Sequence, residues 1–235
     1  MGAVEAHRYP RTMEAVIFDL FGTLVPNLSP DRFTAAATRI AELFGVPLKR
    51  VVEEIKSQFP QRMSGAILDG PLQFVPLAAA LGVAVAETDQ HAAYSVWVDF
   101  QVAGLTPKPD ALHVLEALRE RGYALALASD CSSGTPARLD ATAMGAFFSV
   151  RACSALIGEQ KPHAAMYEHV LSGLGVPGSE CLYVGDGNSN ELAGARRHGM
   201  TTVWVDNGRS RPDREVSSDA DHRVTELTQI LDLVH

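Results

Sequence analysis

Three short runs hold the side chains of this 235-residue chain that could do chemistry together: FDLFGTL at Phe18–Leu24, LASD at Leu127–Asp130 and VGDGNSNE at Val184–Glu191. Each follows an apolar stretch, and each sets a carboxylate or a hydroxyl where a buried strand would stop. Asp19 comes after AVIF and before a Gly-Thr turn. A carboxylate on a rigid strand end can attack an electrophile and form a covalent aspartyl intermediate, or it can simply cap the turn that follows. Asp186 holds the equivalent place in the third run. Two carboxylates brought together repel unless a cation lies between them. Magnesium suits such a pair, because it takes one or two carboxylates, keeps several waters and accepts substrate phosphate oxygens. Asn190 and Glu191, a helical turn further on, are positioned to hold those waters; the alternative is that Asp186 caps a helix starting near Ser189. Ser129 offers a hydroxyl, with nearby backbone N–H groups, to a phosphate oxygen. Lys161, in GEQKP, is either a solvated loop lysine or a compact cation bridging the nucleophile and a transferring phosphoryl group. One residue is out of keeping: Phe21 stands two positions after Asp19, where a second carboxylate would be useful.

The elements that must position these groups can be read in outline. Ala15–Asp19, Tyr123–Ala128, Cys181–Val184 and Thr202–Val205 read as strands, with a shorter one within Phe148–Ser154; the first is apolar enough to be buried on both faces. Helices are expected at Pro109–Arg121 (stopped by Gly122), Thr135–Met144, Ala164–Gly173 and Glu191–His198 (stopped by Gly199), with a closing helix at Val224–Val234. Repeated strand–helix units predict an α/β fold with a parallel, doubly wound sheet. In such sheets ligands bind beyond the carboxyl ends of the strands, where Asp19, Ser129 and Asp186 all fall. Between Ser29 and Gly104 the character changes. A helix is expected over FTAAATRIAELFG, capped by Ser29 or Asp31 and ended by Gly45. Others are expected at Val51–Phe59, Leu72–Leu81 and Glu87–Ala103, with a loop at Pro60–Pro71. This block reads as an inserted helical module. Asn207–Ala220 is the most polar, loop-like stretch.

The bulk composition narrows the function classes. A hydrophobic content of 46% and a charged content of 20% fit a soluble globular protein, and 235 residues allow one large domain or a core with an insert. The net charge of −8 argues against a broad phosphate-binding surface and so against a nucleic-acid partner, while leaving a small anionic substrate open. Cys131, Cys153 and Cys181 have no paired spacing, which speaks for a reduced compartment and against a disulfide framework or a zinc site. The first thirteen residues hold no apolar run of signal-peptide length and no segment reaches membrane-span length, so a cytoplasmic protein away from membranes is expected.

Taken in order, the motifs resemble those of the haloacid dehalogenase-like hydrolase superfamily over essentially the whole chain. Asp19 matches its nucleophile and Ser129 its second motif. Lys161, with the following Pro and Tyr167, is similar to the third motif. Asp186, followed by amide and acidic residues and then Gly194–Ala195, is similar to the fourth. The resemblance implies a Rossmannoid doubly wound parallel sheet as core (1–26 and 105–235) with an inserted α-helical cap domain (27–104). Only about thirty residues separate Ser129 from Lys161, which leaves little room for a cap there and points to the C1 cap subclass. By this resemblance the cap closes over the site, excludes water and selects the substrate. Arg62 is the cap candidate for a substrate anion, and Thr23, Ser129 and Asp130 are the remaining substrate contacts. Magnesium is expected on Asp19, Asp186 and the backbone carbonyl of Phe21.

Most phosphatases of the superfamily carry an Asp at the position of Phe21. It protonates the leaving group and then activates water against the aspartyl-phosphate. A phenylalanine can do neither, but it supplies the same carbonyl to the metal. Losing a positioned general acid forfeits about 10²–10⁴-fold in rate, or roughly 3–5 kcal/mol of barrier, and least for acyl, aryl or anhydride-type phosphates. The expected function is a magnesium-dependent phosphatase acting on a small phosphorylated metabolite through an aspartyl-phosphate on Asp19. Two alternatives stay open. An aromatic at this position also resembles the dehalogenase branch, where Asp displaces halide from a 2-haloacid without metal, although that branch tends to replace the segment holding Asp186. The other is a weakly active member that binds phosphate and works through a partner.

Overall fold

A computed structural model describes residues 13–208 and 219–234 of the chain. The first strand, β1 (Ala15–Phe18), is followed by five helices: α1 (Pro30–Phe44), α2 (Leu48–Ser57), α3 (Phe59–Met63), α4 (Phe74–Leu81) and α5 (Glu87–Ala103). Strand–helix alternation then begins with α6 (Ala111–Glu120), β2 (Ala124–Ser129), α7 (Thr135–Asp140), β3 (Val150–Cys153), α8 (Ser154–Ile157) and α9 (Ala164–Leu174). It ends with β4 (Cys181–Gly185), α10 (Glu191–Arg197), β5 (Thr201–Val205), β6 (His222–Val224) and a 3₁₀ turn at Leu227–Asp232. The strands form one six-stranded sheet in the order β3-β2-β1-β4-β5-β6, every pairing parallel.

The apolar strand runs have a simple cause, since both faces of the sheet are covered. Along β1, Val16 and Phe18 face Val114, Leu115 and Leu118 of α6, whereas Ala15 and Ile17 face Met166 and Tyr167 of α9 and Leu192 of α10. β2 and β4 alternate in the same way, with Leu125, Leu127, Leu182 and Val184 on the first face and Ala126, Ala128, Cys181 and Tyr183 on the second. That is the two-residue period of a pleated strand. The chain leaves β1 toward β2 and β3, then returns to β4 on the other flank. The reversal opens a crevice at the carboxyl ends of β1 and β4, the place where such sheets bind ligands.

The segment between β1 and α6 forms its own apolar cluster, in which Ile40, Phe44, Val51, Phe74, Leu77 and Trp97 meet. Ser29 starts α1, its Oγ accepting from the Arg32 N–H at 3.3 Å, and Gly45 ends it at φ 63°. That left-handed turn satisfies the last helical carbonyls.

Three expectations need correction. The closing helix at Val224–Val234 is instead the end of β6 followed by the 3₁₀ turn. Leu227 and Ile230 are three residues apart and both buried, a spacing that suits 3₁₀ as well as α winding. Val224 meanwhile accepts from the Asp206 N–H as part of the sheet edge. The helix expected at Thr135–Met144 stops at Asp140, and the chain folds back so tightly on that helix end that a β-carbon at Gly145 would run into the Leu139 carbonyl. The loop expected at Pro60–Pro71 contains α3, opened by Pro60 in its first turn. Of the loop-like stretch Asn207–Ala220, residues 209–218 lie outside the described residues. Among the described residues no helix is long and apolar enough to cross a membrane.

Candidate active site

Strand register brings the three sequence runs together. Phe18 of β1 lies beside Leu127 of β2 on one side and Val184 of β4 on the other. Asp19, Ser129 and Asp186 therefore emerge side by side at one sheet edge. Asp19 is buried, and its N–H donates to the Val184 carbonyl at 2.9 Å. Its Oδ1 accepts from Lys161 Nζ at 2.6 Å and its Oδ2 from Thr23 Oγ1 at 3.2 Å.

Lys161 is the hub. Its Nζ also donates to Glu191 Oε2 at 2.5 Å, and its backbone N–H donates to Asp130 Oδ1 at 2.9 Å. Burial alone would lower the ammonium, but the charges of Asp19, Glu191 and Asp130 outweigh it and hold Lys161 well above its usual range. Glu191 is fully buried at the start of α10. Its Oε2 accepts from Tyr183 Oη at 2.9 Å as well, and its Oε1 from the Gly187 N–H at 3.0 Å. Burial pushes its carboxyl up to about 8, against the pull of the Lys161 ammonium.

Asp186 is oriented by its own loop and by the segment after β1. Asn188 donates to it through both its backbone N–H (3.0 Å) and Nδ2 (2.6 Å), and Asn27 Nδ2 lies at 3.4 Å. Burial, and then the nearby Asp19 charge, raise its pKa above the ordinary carboxylate value. One carboxylate oxygen from each of Asp19, Asp186 and Glu191 lies within 4.8 Å of the others. Gly22 makes this approach possible. It sits at φ +88°, and a β-carbon there would run into the Asp186 carboxylate. Its carbonyl accepts from Lys108 Nζ and from Asn207 Nδ2, each at 2.7 Å, which pins the turn after Asp19.

The remaining residues expected at the site fall as follows. Ser129 Oγ is buried and makes no hydrogen bond to another described residue, so its donor is free for a ligand. Asp130 holds the Lys161 backbone through Oδ1, while its Oδ2 is buried without a partner. Asn190 is exposed, in a left-handed turn (φ 51°) with Ser189 (φ 55°). The amide that reaches Asp186 belongs to Asn188 instead. Glu191 lies closer in than expected, against Lys161 itself. Phe21 packs between the sheet core and the Cys131–Cys153–Ala155 cluster.

Phe21 and Asp130 also border a cavity of about 760 Å³ that extends beneath the helical insertion, with Arg62 in its wall. Arg62 is buried, not on an open loop, and hydrogen-bonds Gln73 through both Nη atoms. Lys108, Asn188, Asn27 and Tyr183 were not expected at the site. Their signals are weak: an Asn two residues after an Asp reads as an ordinary turn, and Lys108 approaches Gly22 from 86 residues away.

Residues 13–199 match the family model of the haloacid dehalogenase-like hydrolases, and the chain belongs to that family. It is 28% identical over 228 residues to a glyceraldehyde 3-phosphate phosphatase of Methanopyrus kandleri, covering 94% of this chain and 97% of that one. It is 33% identical over 126 residues to a phosphoserine phosphatase of Thermus thermophilus, covering 52% and 49%. Among solved structures, a 2-haloacid dehalogenase from Pseudomonas syringae superposes with a TM-score of 0.70 at 20% identity, over 94% and 98% of the two chains. A haloacid dehalogenase-type phosphatase from Thermococcus onnurineus superposes with a TM-score of 0.67 at 22% identity, over 94% and 97%.

Proposed function

We propose that this hydrolase is a magnesium-dependent phosphatase that takes a phosphoryl group onto Asp19 and then releases it to water. The observation that carries this reading is Asp186: its carboxylate is held close to that of Asp19, an arrangement with a cost unless a cation joins them. Displacement of halide would need no such second carboxylate. The names of the two phosphatase relatives support the same direction.

The residues present suit magnesium. Asp19 and Asp186 offer hard oxygen ligands, with the Phe21 carbonyl as a third, whereas Glu191 is fully buried and its Oε2 already accepts from both the Lys161 ammonium and Tyr183 Oη. Bound there, the ion would neutralise the two carboxylates and the incoming phosphate oxygens. Asp19 Oδ2, which holds only the longer 3.2 Å contact from Thr23 Oγ1, is the attacking atom, because Oδ1 is engaged by the Lys161 ammonium at 2.6 Å. The Lys161 ammonium and the free Ser129 hydroxyl stabilise charge on the phosphoryl oxygens. Glu191 and Asp130 hold Lys161 in place, one at its side chain and one at its backbone. The helical insertion, 27–104, acts as the cap that covers the crevice and excludes water.

Phosphate release from a panel of phosphate esters, run with and without EDTA beside 2-haloacids, tests this reading. Turnover of esters that stops in EDTA and returns with magnesium is expected; halide release that ignores EDTA would overturn it. The dehalogenase reading keeps one observation in its favour, Phe21, since halide leaves without a proton.

Two predictions follow from particular residues. Phe21→Asp is expected to raise the rate on alkyl phosphates by about 10-fold or more, and on aryl phosphates less, because only poor leaving groups need the proton. Equal changes on both, measured as kcat/KM, would show that proton transfer does not limit turnover. The second concerns pH. With Asp186 raised, the folded chain keeps a proton that the unfolded chain has already lost. That contribution favours the metal-free fold at acid pH and disappears as pH rises through the folded-state pKa. Magnesium competes with the same proton. Its thermal shift, read by scanning fluorimetry against an EDTA control, should grow as pH rises from the ordinary carboxylate range toward neutrality. Equal shifts would count against Asp186 as a ligand.

A further inference from the structure

Resting on the phosphatase reading above, we infer that the substrate is an aromatic phosphate ester, a phosphorylated phenol, with a carboxylate at the far side of its ring that meets Arg62. Three observations converge on this class. The first is the cavity that Phe21 and Asp130 border, each one or two residues from Asp19 or Ser129 in the chain. At about 760 Å³ it has room for far more than a three-carbon sugar phosphate, and Phe21, Phe33, Ile55, Met63, Trp97 and Phe100 give it a largely apolar, aromatic wall. Phe33 meets Trp97 and Phe100 edge-on, with ring centroids 6.4 and 6.1 Å apart, an arrangement that accepts a further flat ring.

The second observation is chemical and independent of shape. Phe21 stands where a proton donor would serve the leaving group, and Asp130, the carboxylate bordering the cavity, is tied to the Lys161 backbone through Oδ1, with its Oδ2 buried. A phenoxide departs without being protonated in the transition state. In the step itself, Asp19 Oδ2 forms a bond to phosphorus and the P–O(aryl) bond breaks. The electron pair leaves on the phenoxide oxygen, which then takes a proton from water. Water next attacks the phosphorus of the aspartyl-phosphate, and the P–Oδ2 bond breaks with its electron pair returning to the Asp19 carboxylate. The proton shed by the water passes to solvent, offsetting the one the phenoxide took, as inorganic phosphate leaves.

The third observation is Arg62. Its side chain is buried, it borders the same cavity, and no carboxylate lies within ion-pair distance among the described residues. Gln73, a neutral residue, takes its Nη donors, the guanidinium carbon lies 5.5 Å from the Trp97 ring centroid, and Nε is buried with no partner. Asp69 acts on Arg62 from farther off but is engaged by Arg138 at 2.8 Å. A buried cation without a contacting counter-ion is costly, and an incoming carboxylate would offset that cost with a charge-assisted hydrogen bond. Lys56, the other unpaired cation bordering the cavity, is exposed and gains little from an anion.

Non-hydrolysable phosphonates separate binding from leaving-group ability. With magnesium present, 4-(phosphonomethyl)benzoic acid should inhibit more tightly than benzylphosphonic acid by about 10-fold or more, and benzylphosphonic acid more tightly than methylphosphonic acid. In Arg62→Met the first ratio should fall to near one, and in Arg62→Lys, which keeps the charge, part of it should remain. A ratio is used because it is insensitive to the fraction of folded protein. Acetyl phosphate, small but with a good leaving group, is the control for the chemistry. If it is hydrolysed while the three phosphonates bind alike, the substrate class is wrong and the phosphatase reading survives. If neither acetyl phosphate nor any aryl phosphate is hydrolysed with magnesium, the phosphatase reading falls and this inference falls with it.

Discussion

Asp19→Asn is expected to lower turnover by about 10⁴-fold or more without unfolding the chain. The amide keeps the shape of the side chain and its place after β1 but cannot attack phosphorus. Lys161 retains Glu191 as a partner at 2.5 Å, so no buried ammonium is stranded. The loss of the Asp19 charge also relieves Asp186, whose pKa it raises. The metal-free variant should therefore melt no lower than the parent at neutral pH, while gaining less from magnesium. A variant that is inactive because it has unfolded would be recognised by its melting curve. A folded variant with parental activity would remove Asp19 from the reaction.

Lys161→Met should produce the largest stability change. The lysine side chain is 3% exposed and joins two carboxylates that are themselves 6% and 0% exposed. Breaking such a buried arrangement by removing one partner costs about 3–5 kcal/mol, and a chain of this size loses about 2–4 °C per kcal/mol. A fall in melting temperature of about 6–20 °C is expected, with turnover also lost. The fall should be larger near pH 8 than near pH 5, because protonation of the stranded carboxylates relieves them in acid. Adding Glu191→Gln to Lys161→Met should recover part of the stability and none of the activity. A single variant that melts with the parent at every pH would show that Lys161 carries no structural weight.

The parts of this site that are legible in the sequence are those at strand ends. AVIF, ALALAS and CLYVG are apolar because both faces of the sheet are covered, so the residue that follows each run stands out as the place where polarity returns. Asp19 and Asp186 were readable for that reason, and so was Ser129, the polar last residue of β2. Glu191 was not readable in its full role. A carboxylate in the first turn of a helix usually serves the helix dipole, and nothing local announces an ammonium arriving from 30 residues away. Arg62 was hidden by its neighbours. Pro60, Ser64 and Gly65 suggest an exposed loop, whereas Phe74 and Trp97, brought in by α4 and α5, bury the guanidinium between their rings. β6 was missed because three residues at a sheet edge give too little pattern to separate from the turn that follows.

Phe21 ties the reading together and supplies its most direct test. If Asp19 accepts the phosphoryl group and no carboxylate at position 21 activates water for its removal, the second half-reaction should be slow and the phosphorylated enzyme should accumulate. The measurement is rapid mixing of the magnesium-loaded enzyme with 4-nitrophenyl phosphate, followed by mass spectrometry of the quenched protein. A burst of nitrophenolate equal to the enzyme present is expected, with a phosphoryl group on the peptide that contains Asp19. Release of nitrophenolate with no phosphoryl group on that peptide at any time would contradict it.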